Sequence, residues 1–93
     1  MADTYYYILT FSNTRDAIRG EAFAKEHISC AVMPLPPEID KGCGLALRLL
    51  HVSAEEAAAF CKSVPLDCIL YRMNTIRVNG VHSITKLYEN KKA

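Results

Sequence analysis

The run Tyr5-Tyr6-Tyr7-Ile8-Leu9-Thr10-Phe11 constrains the fold more than any other part of the chain. It is rich in the aromatic and β-branched residues that strands prefer. Side chains alternate across a strand, so Tyr5, Tyr7, Leu9 and Phe11 share one face and Tyr6, Ile8 and Thr10 share the other. A strand that is apolar on both faces needs cover on both. That predicts a central strand, and the rest of the chain must supply its neighbours and its cover.

A helix is expected over Thr14 to His27. Asn13 is placed to cap it, with Asp16 three residues on as the acidic partner. Ala17, Gly20, Phe23, Ala24 and Ile28 recur at helical spacing on one side, and Arg15, Arg19, Glu21, Lys25 and Glu26 supply the solvated side. Gly20 weakens a helix by roughly 1 kcal/mol relative to alanine, which points to a close approach of helix and sheet at that residue. Ser29 to Leu35 reads as a second strand. Pro34 lacks a backbone donor and points to an edge strand or to the strand's end, and Pro36-Pro37 predicts a stiff, extended connection. Leu45 to Leu50 reads as a third strand, with Leu45, Leu47 and Leu49 toward the core and Ala46 and Arg48 away from it. Ser53-Ala54-Glu55-Glu56 is a capping box, and the helix it opens carries Ala57, Phe60, Cys61 and Val64 on one face before Pro65 closes it. Cys68 to Met73 reads as a fourth strand.

The order strand, helix, strand, strand, helix, strand predicts an α+β fold of ferredoxin-like type, an antiparallel sheet with both helices on one face. The expected division is a domain over residues 1–74 and an extension over 75–93. In the extension, Asn79-Gly80 between two apolar stretches is a hairpin signal. Such a hairpin can add strands to the sheet, cover its open face or pair with another chain. Glu89 to Ala93 is expected to fray.

Ninety-three residues with 51% hydrophobic and 23% charged content suit one small globular domain. A net charge of +1 gives no electrostatic drive toward nucleic acid. The apolar runs are too short to span a bilayer, so no membrane partner is expected. Met1-Ala2-Asp3-Thr4 has neither the basic start nor the apolar segment of a signal peptide. A cytoplasmic location follows as an expectation, and there cysteines are normally thiols. Cys30, Cys43, Cys61 and Cys68 include no close pair of the kind zinc sites use, so no metal and no cofactor is expected.

Cys43 is the candidate reactive residue. It stands in Lys41-Gly42-Cys43-Gly44, where a proline-rich loop gives way to the third strand. Flanking glycines let the backbone turn sharply and let a partner come close. Their N–H groups can face a thiolate as a nest faces an anion, and Lys41 is the nearest cation, with Arg48 further along the strand. A thiolate here can attack sulfur or selenium and leave again. Residue spacing alone equally allows a small buried residue at a tight strand entry. Cys61 reads as a core thiol. Cys30 and Cys68 begin strands, where packing is the simpler reading and a resolving role for Cys43 the alternative. A Cys61–Cys68 bridge is conceivable across the helix-to-strand turn, but a reducing compartment disfavours it. His27, His51 and His82 show no ligand spacing. Tyr5-Tyr6-Tyr7 lacks the basic surroundings of an RNA-binding sheet.

The Tyr-rich first strand, Asn13-Thr14-Arg15-Asp16-Ala17, Met33-Pro34-Leu35-Pro36 and Cys43-Gly44-Leu45-Ala46-Leu47-Arg48 together resemble the bacterial selenium/sulfur carrier protein-like family. The resemblance covers roughly Tyr6 to Arg72. It implies that Cys43 carries selenium or sulfur, which makes the protein a carrier rather than a stand-alone enzyme, with donor and acceptor proteins as partners. One position departs from the family pattern. A basic residue commonly stands where this chain has Pro37, which leaves Lys41 to serve a thiolate. The competing reading is a non-catalytic interaction module that docks a partner or forms a homodimer through its sheet face, since fold alone does not set function.

Overall fold

In the computed structural model, which describes residues 5–39 and 44–91, the elements run β1 (Tyr5–Phe11), α1 (Thr14–Lys25), β2 (Cys30–Pro34), β3 (Leu45–Leu49), α2 (Ala54–Ser63), β4 (Cys68–Val78) and β5 (Val81–Asn90). The fold is α+β, with two helices and a five-stranded antiparallel sheet of order β2-β3-β1-β4-β5. β1 lies in the middle, as its two apolar faces require. It pairs with β3 through Leu9↔Leu47 and Thr10↔Ala46, and with β4 from Tyr5↔Asn74 to Phe11↔Cys68.

The alternation along β1 sorts the core into two layers. Leu9 and Phe11 meet Leu47, Leu49 and Leu70 from the neighbouring strands, and Ala17, Ala24, Ala57, Phe60 and Cys61 from the helices. Both helices therefore cover the same face. Leu9 and Leu70 are fully buried, a removal from water that contributes about 1.5–3 kcal/mol per side chain. On the second face, Ile8, Ala46 and Met73 are buried among Tyr6, Met33, Leu35 and Ile84, and the Tyr6 hydroxyl donates to Met73 Sδ at 3.0 Å.

Local chemistry sets the helix ends. Asp16 N–H donates to Asn13 Oδ1 at 2.8 Å. Ser53 and Glu56 form both bonds of the capping box, Glu56 N–H to Ser53 Oγ at 3.1 Å and Ser53 N–H to Glu56 Oε1 at 2.9 Å. Helix α1 stops at Lys25, two residues short of the sequence expectation. The N–H groups of His27 and Ile28 both turn back to the Ala24 carbonyl, which tightens the last turn. At Gly20, a Cβ would overlap Cζ and Cε1 of Phe11. That is the close approach of helix and sheet that this glycine permits.

The largest departure is beyond Met73. Strand β4 does not stop there but runs to Val78, and β5 returns along it to Asn90. Asn79 and Gly80 at the tip both have positive φ, 56° and 80°, as a two-residue hairpin turn of the favoured hand requires. Glu89 and Asn90, expected to fray, belong to β5 instead. Asn90 is buried, and its Nδ2 donates to the carbonyls of Cys61 at 2.8 Å and Val64 at 3.0 Å. It thereby adds a donor at the end of α2, where the Cys61 carbonyl also accepts from Val64 N–H at 3.3 Å. Among the described residues, no helix is long and apolar enough to cross a membrane.

Candidate functional site

Strands β2 and β3 are neighbours in register, from Cys30↔Leu49 to Pro34↔Leu45. The connection between them leaves and re-enters the sheet at one end. Leu35 N–H donates to the Gly44 carbonyl at 2.9 Å, closing the base of this connection. Of the candidate site residues, Gly44 is described, and Lys41, Gly42 and Cys43 lie outside the described residues. Gly44 is exposed and has φ +92°, with nothing within 4 Å of where a Cβ would stand. Space is therefore not its constraint. A backbone conformation that L side chains rarely adopt is what selects glycine there.

The first limb of the connection is a tight turn, where the sequence predicted an extended one. Ile39 N–H donates to the Pro36 carbonyl at 3.0 Å, which makes Pro36–Ile39 a β-turn with Pro37 at its second position. Proline pre-sets the φ that this corner requires. Pro37 thus has a conformational role at the position where the family pattern commonly has a basic residue. Pro36 and Ile39 are buried.

Glu38, at the third position of the turn, reaches the hairpin. His82 N–H donates to Glu38 Oε2 at 3.3 Å, and His82 Nδ1 lies 2.8 Å from the Asn74 carbonyl. Leu35 follows the end of β2, at the end of the sheet where β1 finishes. His82 lies past the opposite end, beyond the Tyr5↔Asn74 pair. For the two to meet, the hairpin arm must bend over the second face. The ladder between β4 and β5 is interrupted between Met73 and Arg77, and such irregularities bend and twist strands. Nothing in the sequence pattern signals the Glu38–His82 contact, which spans 44 positions.

The neighbouring candidates are placed differently. Arg48 is exposed on the second face with its guanidinium 4.3 Å from the Tyr6 ring centroid, so its charge is directed at an aromatic face. Cys30 is at the far end of β2. It is four steps from Pro34 along the strand, roughly 13 Å at the usual rise. Its thiol pKa is raised, first by burial and then by the Glu21 carboxylate, with Lys25 opposing. Cys68 is at the near end. It pairs with Phe11, and the sulfur atoms of Cys61 and Cys68 are 3.5 Å apart. His51 is exposed with φ 57°, and the His27 ring packs 4.3 Å from that of Phe23. Among the described residues, no group of three or more His, Cys, Asp or Glu side chains could hold a metal ion.

Residues 6–68 match the family described as "Putative Se/S carrier protein-like". The chain belongs to this family. The matched span begins in β1, ends at the first residue of β4 and includes the position of Cys43. The hairpin that meets Glu38 follows the matched span. A stretch of 41 residues, 44% of the chain, is 42% identical to an uncharacterized protein of the archaeon Methanocaldococcus jannaschii, of which it covers 21%. The Se/S carrier family member thus spans about a fifth of that relative's length. No solved structure matches the chain.

Proposed function

We propose that this family member carries sulfur or selenium on Cys43 as a persulfide or selenosulfide. The match over residues 6–68 carries the reading, because it places the chain in a family described as Se/S carrier-like. In the proposed cycle, the Cys43 thiolate attacks the outer sulfur of a donor persulfide. The donor thiolate leaves, and Cys43–S–SH passes the outer sulfur to an acceptor nucleophile. Glycines at 42 and 44 carry no side chain to obstruct an approaching donor, and Gly44 has a positive φ that glycine readily adopts. Lys41 is the cation nearest in sequence, and a thiolate is the form it would favour. The Pro36–Ile39 turn and the Glu38–His82 contact anchor the chain that leads toward this segment.

We further read the fold as ferredoxin-like. The order β2-β3-β1-β4 with both helices on one face supports this, with β5 added outside β4. Donor and acceptor proteins in the cytoplasm are the proposed partners. Self-association is the alternative role, through β2, whose outer edge exposes Val32.

The test is mass spectrometry of the intact chain after incubation with a protein or small-molecule persulfide. Wild type should gain one sulfur, mapped to Cys43. A Cys43→Ser variant that gains it at the same yield would overturn the proposal.

A further inference from the structure

Cys61 and Cys68 form a second sulfur site that the carrier reading does not use. Cys61 lies in the last turn of α2 and Cys68 opens β4. Both side chains are buried, at 0% and 2% exposure, and their sulfurs are 3.5 Å apart. Cys68 Sγ also lies 3.8 Å from the Cys61 carbonyl. A disulfide needs about 2.05 Å, so closing this pair takes a movement of roughly 1.5 Å. Asn90, bonded to the carbonyls of Cys61 and Val64, fixes the backbone on the helix side of the pair.

Cys68, the less deeply buried of the two, borders an open cleft. A cleft of about 100 Å³ has Cys68 in its wall, together with Ser12, Asp67, Glu89, Asn90 and Lys91. That volume admits the –S–SH end of a small-molecule persulfide and excludes a folded donor protein.

Its position in the sheet is equally specific. Phe11 is opposite Cys68 on one side. One register step beyond Thr10↔Ala46 brings Leu45 opposite Phe11 on the other. Leu45 and Cys68 are thus two inter-strand spacings apart, roughly 10 Å, at the end of the sheet where the Gly44 connection emerges. Cys30 is at the other end and shares in neither arrangement.

We propose that Cys61 and Cys68 are a redox-active dithiol that reduces a small persulfide and releases its outer sulfur as hydrogen sulfide. The Cys68 thiol attacks the outer sulfur of R–S–SH, and the leaving R–S⁻ takes up the Cys68 proton. The product on the protein is Cys68–S–SH. Cys61 then attacks Cys68 Sγ, and HS⁻ leaves and takes up the Cys61 proton. The balance is R–S–SH plus two thiols to R–SH, H₂S and one disulfide. The two thiols lose two electrons, and the sulfane sulfur gains them. The reducing compartment proposed above would restore the pair.

The test uses the full chain with Cys43→Ser, so that sulfur uptake at Cys43 plays no part and failure of either idea is seen separately. The probe is glutathione persulfide under anaerobic conditions. Four cysteines are present in the sequence and one is removed, leaving three thiols. Treatment should lower the titratable thiols from three to one, lower the mass by two hydrogens, and release one hydrogen sulfide per chain above the probe's own decay. Peptide mapping should find Cys61 linked to Cys68. Adding Cys68→Ala or, separately, Cys61→Ala should abolish the linkage, and circular dichroism of both variants checks that they fold. The proposal is overturned if all three thiols persist, or if sulfide is released equally by the folded Cys68→Ala variant.

Discussion

Gly20→Ala sets two effects of similar size against each other. Alanine favours the interior of α1 by about 1 kcal/mol over glycine. The added Cβ would overlap two ring atoms of Phe11 and stand 3.2 Å from a third, and overpacking typically costs about 1–3 kcal/mol. The ring cannot easily yield. Phe11 is 3% exposed and is held in the ladder opposite Cys68. The upper part of the overpacking range therefore applies, and the net expectation is a loss of about 1–2 kcal/mol after the helix gain is subtracted. For a domain of this size that lowers the melting temperature by roughly 4–16 °C. Thermal and urea unfolding of wild type, Gly20→Ala, Phe11→Leu and the double variant would measure it. Phe11→Leu alone destabilises through lost ring contacts, but it should relieve the clash, so the double variant should be more stable than the sum of the single losses by roughly 1 kcal/mol or more. A Gly20→Ala variant that melts above wild type would refute the reasoning, since helix propensity would then outweigh a contact that does not press.

Two more expectations come from the same packing. Asn90→Ala removes the side-chain donor from the Val64 carbonyl, and from the Cys61 carbonyl, which keeps Val64 N–H, and should cost about 1–2 kcal/mol in urea unfolding; a loss under about 0.5 kcal/mol would show that water replaces it without penalty. Cys30, whose pKa burial and Glu21 hold above the ordinary thiol value, should be alkylated by iodoacetamide with a pH midpoint above that of a free thiol, because less thiolate is present at any given pH. Glu21→Gln removes the carboxylate and should move that midpoint down, so an unchanged midpoint would refute the electrostatic part.

Much of the fold can be read from local patterns, because local chemistry decides it. The two apolar faces of Tyr5–Phe11 put β1 in the middle, Pro34 falls on an edge strand, and Asn13 and Ser53 cap their helices. Gly20 flags its own close contact because a mid-helix glycine needs a reason. What is illegible depends on partners far along the chain. Asn74 and Thr75 are polar and hide the continuation of β4, which β5 supports by pairing. Asn90 looks like part of a solvated tail until the end of α2 is seen to need donors. Pro36-Pro37 reads as stiff and extended, yet Pro37 also fits the corner of a turn, and the Pro36–Ile39 hydrogen bond selects the turn. At the candidate site, Gly44 shows the backbone reason for its glycine, whereas Lys41, Gly42 and Cys43 rest on sequence and family. Proximity of Cys61 and Cys68 was conceivable from their spacing, but the cleft beside Cys68 and its place in the same row as Leu45 depend on the assembled sheet.

The central position of β1 has a consequence for how the chain comes into being. The strand is the first of the five to be made, yet its partners on β4 begin 57 positions after Phe11, at Cys68. At about 5–20 residues per second, a growing chain carries this apolar strand for roughly 3–11 s before that side can pair. Tyr5 waits longer still, for Asn74. The sheet therefore cannot be completed from its N-terminal end as the polypeptide emerges. Its middle is the first of the five strands to be made, and closing it depends on strands synthesised after both helices.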